Sequence, residues 1–173
     1  MARIIAVANQ KGGVGKTTTS VNLAAALAIE GGSVLLVDID PQGNATSGLG
    51  VDAMSLGKTI YNALIVKESI TDLAMPTAVN GLSLVPANSH LAGAEVELVN
   101  MEGREQRLKE ALAEVADRYD TILLDCPPAL GLLTINAMVA AHSVLIPVQC
   151  EYYAMEGLGR LMESIERMRQ SLN

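Results

Sequence analysis

Lys11-Gly12-Gly13-Val14-Gly15-Lys16-Thr17-Thr18 is a run suited to holding phosphate. Its glycines let backbone N–H groups turn inward onto an anion, and a helix opening at Lys16 adds the positive end of its dipole. Lys16 would reach the β- and γ-phosphates of a nucleotide, and the Thr17 hydroxyl would ligate Mg2+. The general pattern is G-x-x-x-x-G-K-[ST]. With Gly15, Lys16 and Thr17 in its last three places, the first glycine should stand at position 10, where this chain has Gln10 and then a second lysine, Lys11. The bland alternative is a Gly-rich left-handed turn without a ligand. An apolar strand before the loop, a helix after it and an acidic strand end downstream all favour the phosphate reading.

The acids come next. Asp125 follows Ile122-Leu123-Leu124, the layout of an acid that orients Mg2+ or a water in its shell; alone it could equally cap the loop after a strand. Asp38 and Asp40 stand two apart, so both would face one side if the strand persists. One could hold Mg2+ through water and the other could position an attacking water, which makes Asp38 a further metal candidate and Asp40 a catalytic one. Turn-forming acids before Pro41 are the alternative. Asp40 lies in a stretch suited to sensing a nucleotide, and residues 125–131, with Pro127, Pro128 and Gly131, form a second such stretch. Gly57-Lys58-Thr59 is not a second phosphate loop, because position 52 is Asp and no strand precedes it.

These groups need a frame. Residues 3–9, 33–38, 82–86, 120–125 and 143–149 are short apolar runs that predict strands, with Pro147 marking an edge or strand end. Helices are predicted over 16–30, 60–66 with Thr59 as cap, 90–99, 102–118 (Leu108, Leu112 and Val115 on one face) and 131–141. Met155, Leu158, Leu161, Met162, Ile165 and Met168 mark a last amphipathic helix. Residues 70–78 read as an edge strand or extended segment, and 39–58 as a long irregular polar loop. Strands alternating with helices predict an α/β fold: a doubly wound, mostly parallel sheet in three αβα layers, with ligands at the carboxyl ends of its strands.

The bulk properties agree. The 173 residues are half hydrophobic, yet only four are aromatic, all Tyr, so the core must be aliphatic. A net charge of −7 argues against a broadly basic nucleic-acid surface. Cys126 and Cys150 have neither disulfide nor zinc spacing, which fits a reduced, cytoplasmic protein. Passive thiols are the simpler reading of them, and an iron–sulfur role, two thiolates per chain in a dimer, is the sharper one. No signal peptide is apparent, and no apolar run approaches the ~20 residues that cross a bilayer.

The loop resembles the deviant Walker A motif, KGGxGKT[ST], of the ParA/MinD group of P-loop ATPases. Val37-Asp38-Ile39-Asp40-Pro41-Gln42-Gly43-Asn44, Leu91-Ala92-Gly93-Ala94-Glu95, Asp125-Cys126-Pro127-Pro128, Leu132-Leu133-Thr134-Ile135-Asn136-Ala137 and Pro147-Val148-Gln149-Cys150-Glu151-Tyr152-Tyr153 are similar to the chromosomal ParA/Soj partitioning proteins. That resemblance implies an ATPase using ATP and Mg2+, a sandwich homodimer formed on ATP, non-specific DNA binding on the nucleoid, and a ParB-like activating partner. It implies that Lys11 is the signature lysine contacting phosphate across the dimer, Lys16 the Walker lysine, Thr17 the Mg2+ ligand, Asp40 the residue needed for hydrolysis and Asp125 the Walker B acid. Family members run well past residue 173, so residues 1–173 read as one P-loop domain cut short at its C-terminal end, with the DNA-binding surface incomplete. Arg160, Arg167 and Arg169, interleaved with Glu156, Glu163 and Glu166, read as a solvated helix face. The alternatives within the same loop group are an ATP-driven iron–sulfur component and a MinD-like membrane-surface ATPase.

Overall fold

The computed structural model describes residues 1–150 and 154–171. Its six strands are β1 (Arg3–Val7), β2 (Val34–Asp38), β3 (Met75–Pro76), β4 (Leu82–Val85), β5 (Thr121–Asp125) and β6 (Ser143–Leu145). They lie side by side in the order β3-β4-β2-β5-β1-β6. All pairings are parallel except that of β3 with β4. The helices are α1 (Lys16–Ile29), α2 (Asn44–Gly48), α3 (Ile70–Leu73), α4 (Leu91–Glu97), α5 (Arg107–Ala113), α6 (Leu132–Ala140) and α7 (Ala154–Ser171).

Side chains alternate across the strands, and two apolar layers follow. Leu36 and Leu123 join Ala24 and Ala28 of α1 on one face. Leu35, Val37, Ile122 and Leu124 meet Leu91, Leu108, Leu112, Leu133 and Ala137 of α4, α5 and α6 on the other. β2 is buried along its whole length, as the apolar run Val34–Val37 requires of a strand covered on both faces.

Register sets the site. Val7 and Asp38 are both Cα partners of Asp125. Three strands therefore end level, and the loops leaving them share one rim of the sheet.

Several elements differ from the sequence expectation. Residues 70–73 are helical rather than extended: Ser69 Oγ accepts from the Thr71 N–H and caps the turn. Only Met75–Pro76 pairs, at the edge. The helix predicted over 102–118 is confined to 107–113, because Gly103 turns the chain at φ +65° and residues 114–118 continue in i→i+3 turns. Residues 39–58 contain α2 and a short 3₁₀ turn at Ala53–Ser55. Thr59 caps a π-helical turn at Asn62–Val66, its hydroxyl accepting from the Tyr61 N–H. β6 stops at Leu145, before Pro147. Glu151, Tyr152 and Tyr153 lie outside the described residues, as do the side chains of Met155, Glu156, Arg160, Met168 and Arg169. No helix among the described residues is long and apolar enough to cross a membrane.

Candidate functional site

The loop after β1 is pinned at its start by Asn9 before it turns. Asn9 Oδ1 accepts the Lys11 N–H at 3.0 Å, and Asn9 Nδ2 donates to the Pro147 carbonyl at 2.8 Å. Gly13 and Gly15 adopt φ of +74° and +85°, where a Cβ would strain the chain. The Thr19 N–H then bonds the Gly15 carbonyl at 2.8 Å and α1 begins. Lys16 is only 8 % exposed. Its Nζ folds back to donate to the Lys11 carbonyl at 3.2 Å, which leaves the ammonium poised over the loop.

One turn of α1 meets the end of β5. Thr17 Oγ1 donates to Asp125 Oδ2 at 2.8 Å, and Ser20 Oγ donates to Asp125 Oδ1 at 2.7 Å. Ser20 and Asp125 are fully buried. Burial holds the Asp125 carboxyl above the usual carboxylate range, and the Ser20 and Thr17 hydroxyls oppose that rise. Ser20 is the residue that reading the motif missed. Its spacing from Thr17, i to i+3, puts both hydroxyls on one helix face.

Asp38 and Asp40 diverge, because β2 ends at Asp38. Asp38 Oδ2 accepts from the N–H and the hydroxyl of Thr46, at 2.8 and 2.7 Å, and Oδ1 accepts the Asp40 N–H at 3.1 Å. Burial pushes its carboxyl up to about 6 against these bonds. Asp38 thus spends its oxygens on the loop that follows and does not line the cleft. Asp40 does line it, with Gln42 and Asn44. The Asp40 Oδ1 accepts the Gln42 N–H at 2.9 Å.

The resulting open cleft holds about 510 Å3. Gly12, Gly13, Gly15, Lys16, Thr17 and Thr18 form one wall, and Pro128 stands among the facing residues. A metal–nucleotide fits this donor set: a nearly buried ammonium, a helix opening and a hydroxyl backed by a buried carboxylate. Val14 is buried and outside the lining. Lys11, next to Gly12, is exposed and outside it as well. Cys126 is buried at 1 % and Cys150 exposed. Burial, with Asp125 beside it, pushes the Cys126 thiol up, away from the thiolate that a cluster needs. Among the described residues no group of three His, Cys, Asp or Glu could hold a metal ion.

Comparison with known proteins agrees with this geometry. Residues 2–173 match the family model described as an AAA domain, and the fold is that of the P-loop NTPases. The sporulation initiation inhibitor protein Soj of Bacillus subtilis is 56 % identical over the whole chain, which spans 68 % of its length. The chromosome partitioning protein ParA of Myxococcus xanthus is 57 % identical, with 61 % of its length spanned. The chain therefore belongs to the Soj/ParA family of chromosome-partitioning proteins. Among solved structures, a protein named cobyrinic acid a,c-diamide synthase from Mycobacterium smegmatis, with bound ATP analogue and magnesium, superposes at TM-score 0.96. It shares 44 % identity over all of this chain and 70 % of its own. A plasmid partition protein from Borrelia burgdorferi bound to AMPPNP gives TM-score 0.87 at 29 % identity, over 98 % of this chain and 70 % of that one.

Proposed function

We propose that this chain binds Mg–ATP in the cleft and hydrolyses it slowly, as a partner-stimulated switch in chromosome or plasmid partitioning. The observation that carries the reading is the Thr17–Asp125–Ser20 stack beside Lys16, at the level ends of β1, β2 and β5. Bound Mg2+ supplies charge neutralisation on the β- and γ-phosphate oxygens. The residues do the rest. Thr17 Oγ1 would offer a lone pair to the metal while its O–H continues to donate to Asp125. Lys16 exchanges the Lys11 carbonyl for phosphate oxygens. The loop amides at Gly12–Gly15 cradle the anion, and Asp40 orients the attacking water.

ATP would close two chains into a sandwich homodimer, with Lys11 reaching the nucleotide of the second copy. That dimer would bind DNA non-specifically, as far as the surface present here allows, and a ParB-like protein would complete the site for turnover. Cytoplasmic, nucleoid-associated work follows from that role. The identity to Soj and ParA, above that to the synthase structure, supports partitioning over the other uses of this fold.

Light scattering with and without ATP tests the dimer: the mass should double for the wild type and stay monomeric for Lys16→Ala. In the same preparation Asp40→Ala should bind ATP, release little phosphate and remain dimeric. A normal rate of phosphate release by Asp40→Ala would remove Asp40 from the reaction.

A further inference from the structure

Two loops face the cleft, one through Asp40 and one through Pro128. Both are fastened to a single stretch outside it, Ala87 to Glu97. The first fastening runs through Thr46, whose hydroxyl donates to Asp38 and accepts the Ala87 N–H at 3.0 Å. Gly43, at φ +62°, lies so close to this stretch that a Cβ would meet the Ala87 carbonyl oxygen at 2.9 Å. The loop carrying Asp40 is thus held at Asp38, at Gly43 and at Thr46.

The second fastening is Glu95. Gly131 precedes α6 and offers no side-chain cap. Glu95 of α4 supplies one from outside: Oε2 accepts the Leu132 N–H at 2.9 Å and Oε1 the Leu133 N–H at 3.2 Å. A Cβ at position 131 would overlap this carboxylate. Thr134 Oγ1 donates to the Ala129 carbonyl at 2.6 Å, which ties the turn next to Pro128 to the first turn of α6. Between the two fastenings, Ala87, Leu91 and Ala94 are fully buried in the same core as Leu133 and Ala137. The stretch is therefore a stiff link between the loops rather than a tether.

We propose that Thr46 and Glu95 are positioning residues of the hydrolytic site, holding the Asp40 and Pro128 loops to one common brace, Ala87–Glu97. The catalytic half of this rests on the nucleotide reading above; the brace itself does not. Loosening either anchor frees the loop it holds from the brace, and the two loops then lose their common alignment.

The test uses the 173-residue chain with Thr46→Val, Thr46→Ser, Glu95→Ala and Gly131→Ala, the last displacing the carboxylate without altering it. Amide hydrogen exchange without nucleotide reads the brace. Glu95→Ala and Gly131→Ala should speed exchange about tenfold at Leu132 and Leu133, while Thr46 and Ala87, held by the other anchor, keep wild-type rates. Thr46→Val should speed exchange about tenfold at Ala87 while Leu132 and Leu133 keep wild-type rates, and Thr46→Ser should restore the Ala87 rate. In ATP turnover, Thr46→Val and Glu95→Ala should lower kcat about 10- to 100-fold with KM changed less than about twofold. Unchanged exchange at the amides of the substituted anchor, an unchanged kcat, or a Thr46→Ser as impaired as Thr46→Val would each overturn the proposal. A wild type that binds no ATP would overturn the nucleotide reading and the catalytic half with it, while the exchange pattern still decides the brace.

Discussion

Ser20→Ala removes one hydroxyl from the floor of the site, and its cost follows from two distances. Ser20 Oγ donates to Asp125 Oδ1 at 2.7 Å where both residues are fully buried. Losing it should push the carboxyl, already raised by burial, up further, and a hydrogen bond to a charged group of this kind contributes roughly 1.5–3 kcal/mol. In a domain of this size that is a loss of roughly 3–12 °C in Tm. The sign with pH is fixed by the direction of the shift. The native carboxyl holds its proton more tightly than the unfolded chain does, so the stability of this group is complete below an ordinary carboxylate pKa and is lost as pH rises through the native one. The Ser20→Ala penalty should therefore be largest near neutrality and nearly vanish at about pH 4. Urea melts of wild type, Ser20→Ala, Asp125→Asn and the double variant give the coupling directly. Equal penalties in the Asp and Asn backgrounds would refute the assignment.

Other consequences follow from the same geometry. Asp38 is pushed up to about 6, so the wild type should lose roughly 3 kcal/mol from this group as pH rises from about 4 to above 6. Asp38→Asn should remove that slope from the urea midpoint, and identical slopes in the two proteins would contradict it. Native protein should show one reactive thiol, Cys150, and two after unfolding, because Cys126 is buried with its pKa raised; a thiol count by disulfide-exchange reagent checks this. Substituting Asp40 by Ala should reduce phosphate release at least about 100-fold while leaving ATP affinity within a few fold, read by single-turnover kinetics.

The parts legible in the sequence are those where one residue type has one job. A strand of apolar residues ending in a glycine loop and a lysine announced β1, the loop and α1, and Ile122-Leu123-Leu124-Asp125 announced β5. Less legible were features made by pairs far apart in the chain. Ser20 is an ordinary helix residue until β5 places Asp125 beside it. Glu95 reads as a surface acid until α6 presents two bare N–H groups to it. The expectation that Asp38 and Asp40 share a face required β2 to persist, and β2 stops at Asp38, whose carboxylate is taken up by Thr46 from the loop that follows. The helix at 70–73 did leave a local signal, Ser69-Ile70-Thr71-Asp72, a capping pattern that the β-branched residues around it obscured. His142 shows the same limit. Its place just past α6 gives no sign that its backbone N–H donates to the Ile4 carbonyl and its Nδ1 accepts the Ile4 N–H beside the β1–β6 pairing.

Equilibrium binding of ATP by wild type and Lys16→Ala, with Mg2+ and with chelator, tests the central claim most directly. Lys16 is nearly buried, and its ammonium is held over the loop by one carbonyl. Exchanging that bond for phosphate contacts is worth about 3 kcal/mol, or roughly 100-fold in Kd. The account predicts tight, Mg2+-dependent binding by the wild type and about 100-fold weaker binding by Lys16→Ala. Equal affinity in the two proteins, or no binding by a folded wild type, would contradict it.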